Sequence, residues 1–98
     1  MTPNFRSFRA DPVAAERVRS TGAARISAWS DRPFGRNAFV RAWVGSQEVT
    51  QVTIDQFGMS FAGFTAAMPG EDDTLSVEID GAETIDTGLT AESHPPVV

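Results

Sequence analysis

Two arginines four positions apart, Arg32 and Arg36, bracket the tripeptide Pro33-Phe34-Gly35. A guanidinium is planar, always charged, and carries a fork of donors that can meet a phosphate or a guanine edge in two places. Two such forks on a Pro/Gly loop can clamp phosphates or stack on a base. The plainer reading is a pair of solvated loop arginines whose stems cover apolar surface. The segment Thr53-Ile54-Asp55-Gln56-Phe57-Gly58 follows, with a hydroxyl, a carboxylate and a glycine alternating toward a turn. Its turn, Asp55-Gln56-Phe57-Gly58, breaks two apolar alternating runs within Val49 to Phe64, VTQVTIDQFGMSFAGF, around which the rest of the chain is organised.

Other candidate groups carry less chemistry. Glu71-Asp72-Asp73 is a run of carboxylates without the alternating ligand spacing of a calcium loop, and reads as a solvated acidic turn. Asp80, Glu83 and Asp86 have no nearby partner base in the sequence that would set up acid–base work. His94 is the only histidine and sits beside Pro95. The chain has no cysteine, which excludes disulfides and thiolate zinc sites. No Ser/His/Asp set and no phosphate-cradling glycine loop can be assembled, so the expectation is a protein that is not an enzyme and holds no metal or resident cofactor.

The net charge of −5 disfavours a general nucleic-acid binder, because phosphate neutralisation needs a basic surface. The charge is unevenly placed. All eight basic residues are arginines, and they lie between Arg6 and Arg41. The second half of the chain is acidic. With 98 residues the chain reads as one folded unit, burying roughly 60–65% of the surface its unfolded form exposes. No apolar run approaches the length of a membrane helix. The opening MTPNFRSFRA has no apolar run after its charges, so it does not read as a secretory signal, and a cytoplasmic location is expected.

The elements that must position these residues are strands. Ala38 to Val44 alternates, with Phe39, Arg41 and Trp43 on one face and Val40, Ala42 and Val44 on the other. Gly45-Ser46 makes a turn, Val49 to Ile54 runs back, and Met59 to Phe64 is the next strand. Ala24 to Trp29 alternates as a short strand, with Ile26 and Ala28 opposite Arg25, Ser27 and Trp29. Thr74 to Ile79 and the segment around Ile85 form a last hairpin. A tight turn at Asp80-Gly81 would leave Ile85 on the polar face, so a wider loop pairing Ile79 with Ile85 is expected, which puts Leu75, Ile79, Ile85 and Leu89 on one face. Residues 1–10 read as an irregular arm. Asp11-Pro12 reads as a helix start, with about two turns over Val13 to Ser20. The tail with Pro95-Pro96 is expected to be extended. Trp29, Phe39, Trp43, Phe57, Phe61 and Phe64 are expected in the core, because aromatics at strand spacing usually fill a barrel. An exposed Trp29 or Trp43 near the arginine loop would instead be a stacking candidate.

An arginine loop of the form RxxxR, a strand hairpin, and a polar motif ending in glycine resemble the arrangement of PilZ domains. FVRAWVGSQEVTQVTIDQFGMSF is similar to that family's first hairpin running into its second motif, D/N-x-S-x-x-G. Thr53 stands where the family has Asp or Asn, Asp55 stands where it has Ser, and Gly58 matches. The order of elements, an arm with a short helix or strand over residues 1–31 and then five or six strands joined by short turns, itself reads as an all-β fold, a small antiparallel β-barrel, and the resemblance to PilZ barrels spans residues 32–98. The resemblance implies a non-enzymatic module of bacterial signalling that binds cyclic di-GMP, with Arg32 and Arg36 on phosphate and guanine and with Thr53, Asp55 and Gly58 at the base. Arg17 and Arg19, or Arg6 and Arg9, do not match the motif spacing. Because Asp55 is a carboxylate, the alternative is a ligand-free protein-interaction or structural assembly module that acts through a protein partner.

Overall fold

The computed structural model describes residues 4–13 and 22–91. Among them the chain forms seven strands and no helix: β1 (Phe5–Pro12), β2 (Ala24–Ser30), β3 (Val40–Val44), β4 (Gln47–Ile54), β5 (Ser60–Thr65), β6 (Thr74–Ile79) and β7 (Ile85–Thr90). All pairings are antiparallel, in the order β1-β2-β5-β4-β3-β6-β7. The last strand returns beside the first, so the sheet curls into a nearly closed barrel. Closure leaves little exposed edge for a chain with this many apolar strands.

The core follows from strict alternation. Val40, Ala42 and Val44 point inward from β3, Ala24, Ile26 and Ala28 from β2, and Leu75 and Val77 from β6. Phe8 and Phe61 are the largest fully buried side chains. Phe5 meets Phe61 edge-on, with ring centroids 5.8 Å apart. Such pairs contribute about 0.5–1.5 kcal/mol beyond the area they bury.

Four expectations are corrected. The segment read as an irregular arm forms β1, which raises the strand count to seven. A register shift between Phe5 and Ser7 lets Phe5 and Phe8, three residues apart, both face inward. Asp11 and Pro12 end that strand, opposite Arg25 and Ala24, rather than starting a helix. The rest of the expected helix, with Arg17 and Arg19, lies outside the described residues, as do His94 and the Pro95-Pro96 tail.

In the last hairpin, Ile85 sits opposite Val77, not Ile79, and a register shift before Thr74↔Thr90 absorbs the difference. The shared face is kept in part: Leu89 packs against the core, and Ile85 is half-buried opposite the buried Val77. Among the aromatics, Phe61 is core, but Phe39 and Phe57 are 66% and 67% exposed and Trp29 is 39% exposed. The inward positions beside Phe39 and Trp29 belong to Val40 and Ala28, and one step along a strand reverses the face.

Candidate functional site

The arginine loop and the Asp55–Gly58 turn meet. Phe34 and Gly35 both donate their backbone N–H groups to the Gly58 carbonyl oxygen, at 2.8 and 3.3 Å. Phe34 packs against the core with its ring 5.8 Å from Phe5, so the middle of the loop is pinned by both backbone and side chain. The loop is also held at its start, where Ser30 N–H donates to Met59 O at 2.8 Å and Asp31 N–H to Asn4 O at 2.9 Å. Gly58 is buried, with φ of 68°. A Cβ there would lie 2.6 Å from the Arg36 backbone nitrogen. Only glycine permits both the left-handed turn and this approach.

The turn is built by Asp55. Its Oδ1 accepts the N–H groups of Met59 at 2.9 Å and Ser60 at 3.2 Å. Its own N–H donates to Ser60 O, and Gly58 N–H donates to Asp55 O. The Met59 N–H is the chief reason the carboxyl is held below the ordinary carboxylate range; partial desolvation opposes it, and the Ser60 and Gly58 N–H groups add to it.

The two loop arginines differ. Arg32 donates through Nε to Asp31 Oδ1 at 3.3 Å. The Asp31 carboxyl is lowered despite desolvation, because Asn4 N–H and the Arg32 guanidinium outweigh it. Arg36 is exposed, and its guanidinium forms no hydrogen bond or ion pair among the described residues.

Thr53 and Asp55 also border a trough of about 510 Å³ on the outer face of β1, β2, β5 and β4. The register explains its shape. Arg9, Ser27, Ala62 and Thr53 form one cross-strand row, and Trp29 and Ser60 stand opposite each other in the next. Small side chains in the middle of the sheet make a low floor, and Arg9, Arg25 and Trp29 rise around it. Arg32, Arg36 and Gly58 do not line it. The structure thus seats the arginine loop on the Asp55–Gly58 turn through Gly58, and sets Thr53 and Asp55 along a trough beside a different pair of arginines.

Arg25 is not among the residues expected at a site, Arg9 is weighed there only in a pair with Arg6 that misses the motif spacing, and Trp29 only as a stacking candidate if exposed near the arginine loop; it is exposed. For β2 the signal was in the alternation, which puts Arg25, Ser27 and Trp29 on one outward face. For Arg9 it was hidden by the irregular start of β1. Among the described residues no cluster of His, Asp and Glu converges as a metal site. Asp73 instead closes its own turn, its Oδ2 accepting Gly70 N–H at 2.8 Å.

The chain matches no family model, no curated protein and no solved structure.

Proposed function

We propose that this chain is a non-enzymatic binding module that takes cyclic di-GMP at the Arg32–Arg36 loop and signals through a protein partner. The observation that supports this reading is the pair of hydrogen bonds from Phe34 and Gly35 to Gly58, which seats the arginine loop on the polar turn. An anchored loop presents its guanidinium groups from a fixed base, and less entropy is lost when a ligand is clamped. Arg36 can reach an incoming phosphate without first breaking an ion pair. Calorimetry with cyclic di-GMP tests the proposal. Heat of binding that disappears in the Arg36→Ala variant supports it; folded protein that gives no heat at high micromolar ligand rejects it.

A second reading, a ligand-free interaction or assembly module, is favoured by two observations. Asp55 spends its Oδ1 on the backbone rather than facing a ligand. Phe57, at the tip of the same turn, is a large apolar side chain left 67% exposed. Exposed aromatics of this kind are enriched at the centres of protein interfaces. Recovery of one stoichiometric partner without nucleotide, lost in Phe57→Ser, would favour this reading over the first.

A further inference from the structure

The trough on the outer face of β1, β2, β5 and β4 holds chemistry that the proposed arginine-loop site does not use. Arg25 stands opposite Asp11 across the strands, yet it is exposed and forms no ion pair among the described residues. Arg9 gives one Nη to Asp11 at 3.2 Å, while its Nε is shielded from solvent and meets no acceptor among the described residues. A shielded, unmet N–H is costly, and a shift of the otherwise 41% exposed Arg9 side chain toward an acceptor would remove that cost. Both carboxylates near the trough are already engaged, Asp11 by Arg9 and Asp55 by the Met59 and Ser60 N–H groups. Arg25, which forms no ion pair among the described residues, is therefore the charge left to act on a ligand, and Arg9 would be shared between Asp11 and an arriving acid group.

The spacing fits a ligand with a ring at one end and an acid group at the other. Arg25, Ser27 and Trp29 lie on one face of β2 at steps of about 7 Å, and Arg9 lies beside Ser27 one strand away, about 5 Å. That places a guanidinium within the reach of a nucleobase-to-phosphate span from the Trp29 ring. Trp29, half open to solvent, offers a flat face for stacking. Ser27, Ser60 and Thr53 supply hydroxyls that both donate and accept along the floor. A volume of about 510 Å³ lies within the common range of small-molecule sites.

We infer that this trough is a binding site for a planar anion of mononucleotide size, with its ring against Trp29 and its acid group between Arg9 and Arg25. This goes beyond the proposed function, because neither Arg32 nor Arg36 takes part. Nothing on the trough floor selects one base over another, so the site recognises ring and charge together.

The test is titration of the nitrogen-labelled 98-residue chain with AMP, adenosine and inorganic phosphate, followed at the two tryptophan indole N–H signals. Trp43 serves as the internal control, since it lies on β3 away from the trough, under the Arg41 guanidinium at 5.0 Å. AMP is expected to move the Trp29 signal and leave that of Trp43, with at least tenfold tighter binding than adenosine or phosphate alone. Loss of one charge-assisted contact in Arg25→Gln should weaken AMP by roughly ten- to a hundredfold. Arg25 is exposed, so that variant keeps its core. A double variant, Arg32→Gln with Arg36→Gln, should bind AMP as the parent does while losing any cyclic di-GMP binding, which separates this inference from the proposed function. An unmoved Trp29 signal at millimolar AMP, equal binding of adenosine, undiminished binding by Arg25→Gln, or loss of AMP in the double variant would each overturn it.

Discussion

Asp55–Gly58 and Asp80–Gly81 each turn the chain between strands with an aspartate and a glycine in the left-handed region, φ 68° at Gly58 and 75° at Gly81. In the first, the glycine is the contact. A loop lies on it, so that a Cβ would strike the backbone of Gly35 and Arg36 at 2.6–2.7 Å. In the second, a Cβ at Gly81 would meet nothing within 4 Å. There the aspartate makes the link: Asp80 Oδ1 accepts Phe39 N–H at 2.8 Å, and Asp80 N–H donates to Phe39 O at 2.8 Å. One turn is a seat for another segment and the other is a latch on the start of β3. A glycine's need for positive φ is the same in both, but only at Gly58 does tertiary packing add to it.

The largest expected effect separates the two glycines. Gly58→Ala combines backbone strain with a clash against backbone that has no flexible end to move, and should destabilise the fold by about 3 kcal/mol or more. Gly81→Ala carries the left-handed strain alone, about 1–2 kcal/mol. Urea unfolding of the two variants measures the difference; equal losses would show that the arginine loop lifts off the turn at little cost.

Next is the aspartate of the seat. Asp55→Ala removes the acceptor of two backbone N–H groups and should lower Tm by about 5–10 °C. Asp55→Asn keeps a carbonyl oxygen and should lose less. The acid dependence has a definite sign. The folded-state pKa of Asp55 is depressed, so its contribution is fully present above the unfolded value of about 3.8 and is lost as pH falls through the folded value. Thermal unfolding from about pH 5 downward should show the parent losing stability toward Asp55→Asn, which does not titrate. Parallel curves would mean that the carboxylate is not bonded as described.

How much of this was legible in the sequence depends on whether local pattern or register made the feature. The meander of β3, β4 and β5 could be read because Val40, Ala42 and Val44 alternate cleanly and Gly45-Ser46 marks the turn. The meeting of the arginine loop with Gly58 was implied only by the resemblance to PilZ domains, in which one hairpin likewise separates the two motifs. β1 could not be read, because its register shift breaks the period of two between Phe5 and Phe8, and Asp11-Pro12 suits a strand end as well as a helix start. The trough was hidden for a different reason. Arg9, Arg25 and Thr53 lie far apart in sequence and converge only because β1, β2, β5 and β4 are neighbours in the sheet. The exposed Trp29 on β2 shows that bulk alone does not choose the inner face, and the exposed Phe57 stands in a turn with no inner face to take.

The latch should respond less than the seat. Asp80→Ala leaves Phe39 N–H without its acceptor, but at an exposed position where water replaces it, and puts alanine at a φ of 53°, so the expected loss is about 1–2 kcal/mol. Asp80→Asn retains an oxygen and tolerates the φ of 53°, and should be nearly neutral in the same urea series. A loss from Asp80→Ala as large as that from Gly58→Ala would reverse the ranking of the two turns.

The smallest effect concerns the strands that lead into both turns. Arg41 on β3 donates through Nε and Nη2 to Glu48 Oε2 on β4, at 3.4 and 3.3 Å, and stands opposite Glu78 on β6. β4 runs on to the Asp55 turn and β6 to the Asp80 turn, so a strong ion pair here would couple the two. Both side chains are more than 40% exposed, however, and Arg41 also rests on Trp43 at 5.0 Å. Solvent screening limits such a pair to about 0–0.5 kcal/mol. After Glu48→Gln, the Arg41 guanidinium keeps Trp43 and the nearby Glu78. The variant should therefore unfold within about 0.5 kcal/mol of the parent, and the gap should close in high salt. A larger loss that persists in salt would mean that the turns are linked through β3, and that the Gly58 and Asp80 variants would no longer add independently.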